Sequence, residues 1–124
     1  MPSFLKLNQM TLMDRLAHHV GRDVALEGQD FSSGPGTLQS VGKRFIRVND
    51  QYFVPSSLQE IVLLSETSKR GANVHVHSTY RGAIQAELIR TGIDFLELII
   101  PTTGEEEQDW TLIPLHRIVR MEKA

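Results

Sequence analysis

The residues best placed for chemistry are two histidines one position apart, His75 and His77. Alternate positions on a β-strand point to one face, so both imidazoles can reach a single cation. A zinc site usually takes three protein ligands, and His116 or Asp94 would have to supply the third through the fold. The plainer reading is a pair of solvent-facing strand histidines. At an interface the same pair would make association sensitive to pH near neutrality. Lys43 and Arg44 share a turn, where they can pair with phosphate or simply face solvent. Glu105, Glu106 and Glu107 sit in one polar loop, without the apolar surround that would separate their pKa values for acid–base work. Serine, histidine and acids all occur, but not with the spacing of a nucleophile elbow. There is no cysteine, which removes thiol catalysis, disulfides and Cys-based zinc sites. Trp110 reads as a core or strand-edge residue, and an aromatic content of 6% is sparse for stacking single-stranded nucleic acid. No cofactor is implied.

Short strands must position these residues. Residues 8–20 come first and have helical period, with Leu12, Met13, Leu16, Ala17 and Val20 on one face. Thr11 and Asp14 form a capping pattern, Gly21 stops the helix, and His18 and His19 suit its last turn through the dipole. Residues 22–27 alternate as a strand that buries Val24 and Leu26. Residues 28–36 are turn chemistry with Ser-Ser-Gly-Pro-Gly at the centre. A Gly-rich loop cradles phosphate when it opens a helix; here residues 37–41 follow as a strand, so a plain strand connection is the stronger reading. Residues 45–48, 52–54 and 60–65 complete a first set of strands, broken by Gly, Asn, Asp and Pro. This spacing predicts an all-β barrel or sandwich.

The pattern then starts again. Residues 66–71 are polar and mark a boundary, dividing the chain into residues 1–67 and 68–124. Val74 and Val76 match Val24 and Leu26. Gly82-Ala83-Ile84 matches Gly36-Thr37-Leu38, and Phe95-Leu96-Glu97-Leu98 matches Phe45-Ile46-Arg47-Val48. Ile113-Pro114 and Ile118 match Val54-Pro55 and Ile61, so each set ends in a strand, a Pro-marked break and a second strand. Conserved order with loops of changed length is the mark of duplicated strands. The second set has no leading helix of its own, and either borrows cover from the first or packs directly upon it.

The order of helix, Gly21, Val24-x-Leu26, loop, Gly36-x-Leu38, Phe45 and a Pro-marked strand pair resembles the Sm-like fold. That fold is a short helix followed by a strongly bent five-stranded, SH3-like barrel. The ending from Ile113 to Ile118 is closer to small Sm-like proteins of unknown function in spore-forming bacteria. The PRC-barrel group, which also ends strands in a hydrophobic–Pro pair, is the rival resemblance. The Sm-like resemblance covers nearly the whole chain as two tandem barrels with one N-terminal helix. It implies edge-to-edge association and, as in the best known members, RNA binding. An Arg–Gly pair usual before the last strand is replaced here by Pro55-Ser56 and Pro114-Leu115. Of the Asp and Asn usual around the third strand, Asp94 and Asn49 are the nearest counterparts, joined by Lys43 and Arg44 in the turn before Phe45.

Net charge is −2, with eight basic and seven acidic residues through residue 70 and five against eight beyond it. Neither part is the basic body of a strong non-specific nucleic-acid binder. No apolar run approaches the roughly 20 residues of a membrane helix, and residues 1–13 carry no export pattern, which points to the cytoplasm. The function expected is non-enzymatic: a structural module that self-associates through the strand edges near Val54, Ile61, Ile113 and Ile118. A spore layer is the setting the resemblance implies. The alternative is an RNA- or nucleotide-binding module using Lys43, Arg44, Asn49 and Asp94.

Overall fold

In the computed structural model, residues 9–64, 71–101 and 108–124 are described. The segment before residue 9, the boundary expected at 67/68 and the acidic run at Glu105, Glu106 and Glu107 lie outside the described residues. Helix α1 (Leu12–Ala17) starts at Thr11, whose hydroxyl accepts from the Asp14 amide while the Asp14 carboxylate accepts from the Thr11 amide. This reciprocal cap is the one expected from the sequence. The helix is shorter than its periodicity suggests. His18 closes it, and the chain turns at Gly21, whose φ of 91° suits glycine. Leu12 and Leu16 are buried, but Val20 lies past the helix end and is exposed. His19 is fully buried with Nε2 3.1 Å from the Asp23 carbonyl oxygen, so it joins the helix to the first strand.

Ten strands follow among the described residues: β1 (Asp23–Glu27), β2 (Ser32–Val41), β3 (Ile46–Val48), β4 (Gln51–Phe53), β5 (Glu60–Leu63), β6 (Ala72–Ser78), β7 (Gly82–Thr91), β8 (Phe95–Pro101), β9 (Gln108–Pro114) and β10 (Ile118–Lys123). The all-β class expected from the sequence is the class that forms. The strands make one open antiparallel sheet in the order β10-β6-β7-β8-β9-β5-β1-β2-β3-β4. This is one pattern used twice, β5-β1-β2-β3-β4 and β10-β6-β7-β8-β9.

Registers extend the repeat to single residues. Val24 lies opposite Gly36 and Val74 opposite Ala86, while Leu38 lies opposite Val48 and Leu88 opposite Leu98. An extra residue bulges each second strand at the same place, Gln39 in β2 and Ile89 in β7. Two of the sequence matches shift. Ala86, not Gly82, occupies the position of Gly36. Met121, opposite Val76, corresponds to Ile61, opposite Leu26, and this leaves Ile118 at the position of Leu58. The first shift arises because Gly34-Pro35-Gly36 is part of β2 rather than a loop. Gly34 and Pro35 together oppose Ala25, a bulge that omits the ladder bond proline cannot donate.

The two sets share their cover. On β8, Phe95 and Ile99 enter the core around α1 and the first set, whereas Leu96, Leu98 and Ile100 enter the core of the second. Trp110 and Leu112 of β9 also face the first core, and Ile113 the second. Burial on both faces is why Phe95 to Ile100 reads as an almost unbroken apolar run. The core around α1 is therefore completed by β8 and β9 of the second set, while among the described residues no helix side chain enters the second core.

Candidate functional site

Two buried carboxylates fasten the sets together. Glu97, on β8, is 1% exposed and points toward α1. It accepts from Arg15 through Nε at 2.9 Å and a second guanidinium nitrogen at 3.0 Å, from Arg90 at 3.0 Å, and from the Trp110 indole at 2.6 Å. A charge at that depth is tolerated only because it is paired and hydrogen-bonded. Glu60, on β5, accepts from Arg81 at 2.7 and 3.0 Å and from the Tyr80 hydroxyl at 2.8 Å. These donors come from the β6–β7 turn, so the contact crosses from one set to the other.

Burial, reinforced by the adjacent Glu60 carboxylate, pushes the Tyr80 phenol well above its ordinary range, so it stays a donor. A raised folded-state pKa contributes stability that is fully present below the unfolded value, about 10, and declines as pH rises above it. Urea unfolding of the wild type should therefore weaken more between pH 9 and pH 11 than that of Tyr80→Phe, where this component is absent. Equal pH slopes would contradict the assignment.

Lys43 and Arg44 in the β2–β3 turn, Asp94 in the β7–β8 turn and Val54 after β4 come together around a cavity of about 500 Å³. Leu12, Met13, Phe45 and Pro55 are among its apolar lining. Lys43 and Arg44 make no side-chain hydrogen bond or ion pair among the described residues. Asp94 is already engaged: its Oδ1 accepts from the Leu12 amide at 2.7 Å, capping α1 from the second set. Asp94→Ala should lower stability by about 1 kcal/mol, as loss of a helix cap does; an unchanged denaturation midpoint would show that the cap contributes nothing. Asn49 lies apart from the cavity. With Asp50 it forms the positive-φ turn between β3 and β4, and its amide occupies the space a Cβ at Gly36 would need.

His75 is exposed and His77 half-buried on β6, alternating with Val74 and Val76 in the core. His77 Nε2 lies 3.2 Å from the Glu122 carboxylate. His116 instead bonds the Ser56 carbonyl, and Asp94 caps the helix. Neither expected third ligand is thus available to the pair. Among the described residues no three His, Cys, Asp or Glu side chains converge as a metal site would need.

The edge residues divide. Ile61 and Ile113 lie on β5 and β9, which pair with each other inside the chain, and both are fully buried. They are unavailable to a second molecule. Val54 follows β4 and Ile118 opens β10, the two outermost strands. The seam side chains were missed by sequence reasoning, although Glu97 inside Phe95-Leu96-Glu97-Leu98 and Glu60 before Ile61-Val62-Leu63 gave a signal. An acid within an apolar strand must find a buried partner. Among the described residues no helix is long and apolar enough to cross a membrane. No family model, curated protein or solved structure matches this chain.

Proposed function

We propose that the chain is a non-enzymatic assembly module of two tandem Sm-like barrels, divided near residues 67/68, that binds further copies of itself through its outer strands. The observation that carries this reading is the nature of the internal seam. There β5, the fifth strand of the first set, pairs antiparallel with β9, the fourth strand of the second. The strands left at the two ends of the sheet are again a fourth and a fifth, β4 and β10. Their outer backbone groups form a template for another strand. Tyr52 on β4 and Val119 on β10 are 65% and 67% exposed, so each edge also offers apolar surface. The spore layer implied by the resemblance is the biological setting proposed for such an assembly. Size-exclusion chromatography with light scattering tests the reading: a defined oligomer or growth with concentration is expected, and a monomer throughout would overturn it.

The second reading, binding of RNA or a nucleotide, draws on the cavity that gathers Lys43 and Arg44 beside Phe45. Its mark is a 260 nm absorbance that travels with the protein peak and disappears after ribonuclease, with affinity that falls steeply with salt.

A further inference from the structure

The contact that fastens the two sets inside the chain has a counterpart of opposite sign at the free edges. Glu60 lies opposite Glu27, and Arg120 lies at the equivalent place opposite His77, so Arg120 stands in the second set where Glu60 stands in the first. Glu60 receives Tyr80 and Arg81 from the β6–β7 turn. The equivalent β1–β2 turn carries Asp30 and Phe31 instead. Arg120 and Asp30 are exposed, and neither makes a side-chain hydrogen bond or ion pair among the described residues. Phe31 stacks on Phe53 of β4, with ring centroids 6.0 Å apart, and so stands next to that edge.

We infer that the site on the β4 edge is made for the β10 edge of a second copy of this chain, with Arg120 of one copy on Asp30 of the next. The inference rests on the edge-pairing reading and gives it a register. Inside the chain Ile61 lies opposite Leu112 and Val62 opposite Thr111. The same alignment between copies sets Met121 opposite Tyr52, Glu122 opposite Gln51 and Arg120 beside Phe53. The guanidinium then reaches Asp30 across the Phe31 ring, a face that attracts cations.

The exchange of sign also selects partners. If β5 took the place of β10 on the β4 edge, Glu60 would meet Asp30. If β10 took the place of β5 on β9, Arg120 would meet Arg81. Both wrong pairings set like charges together, and repulsion of wrong partners is how interfaces gain specificity. Contact between two different surfaces is head-to-tail and gives a ring if the rotation closes, or a filament if it does not. The external contact lacks a second anchor, because Arg47 occupies the place of Glu97.

Charge reversal tests this. Arg120→Glu and Asp30→Arg, each expected to fold normally because both sites are exposed, should each weaken self-association roughly tenfold or more, read by sedimentation velocity. An equimolar mixture of the two variants should recover wild-type association, since every alternating junction then joins opposite charges. Wild-type-like association of Arg120→Glu, or a mixture no tighter than its components, would overturn the lock while leaving edge pairing intact. A wild-type chain that stays monomeric would overturn edge pairing itself.

Discussion

Replacing Glu97 with glutamine lowers unfolding free energy by about 3–5 kcal/mol. The amide keeps the shape but gives up one acceptor and the charge. Arg15, 8% exposed at its side chain, and the partly buried Arg90 are left facing a neutral group. The loss reflects an uncompensated buried charge more than the worth of the pair itself. A chain of this size is stable by only about 5–15 kcal/mol, so the variant approaches the limit of folding at ordinary temperature. Urea denaturation reads the loss, with Lys123→Ala on the exposed β10 surface as a control expected to stay within about 0.5 kcal/mol. Arg15→Met should destabilise similarly, and the double variant by less than the sum, because the two groups act on one contact. An additive pair, or a Glu97→Gln variant as stable as the control, would mean that the cluster does not hold the sets together.

The second large effect concerns association. Tyr52→Lys and Val119→Lys together should abolish self-association at concentrations where the wild type assembles, with little change in the denaturation midpoint. Lysine on an outer strand blocks strand addition because pairing would desolvate its charge. Both positions are exposed, though Tyr52 also meets Phe45 edge-on and carries Arg47 above its ring, which keeps that residue close to the β4 edge. Association undiminished in the double variant would show that the outer strands are not the contact surface.

Much of the architecture was legible because periodicity reports burial directly. Val24 and Leu26, and then Val74 and Val76, alternate as strands with one face in a core, and the repeat could be read from their order. The Asn49-Asp50 turn and the Thr11 cap were legible because few residues do that work. The long β2 was not legible. Gly34-Pro35-Gly36 looks like a break unless the bulge opposite Ala25 is known, and a bulge depends on the partner strand. The shape of the site was hidden for a similar reason. Lys43, Arg44 and Asp94 lie in equivalent turns of the two sets, and only the sharing of α1 brings them to one cavity. Ile61 and Ile113 look like edges in the sequence because a repeat counted along the chain does not show that β5 and β9 meet. Glu97 could have been read as buried, but its partners Arg15 and Arg90 come from distant elements that no local pattern connects.

The most direct test of head-to-tail pairing uses the absence of cysteine from the chain. Tyr52→Cys and Met121→Cys, introduced together, should give a reducible ladder of covalent dimers, trimers and higher species on mild oxidation. Opposed residues on paired antiparallel strands lie within disulfide reach. Each single variant should give no ladder beyond an occasional dimer. A double variant that remains monomeric under oxidation while the native chain is assembled, or single variants that cross-link as fully as the double, would contradict the pairing of β10 with β4.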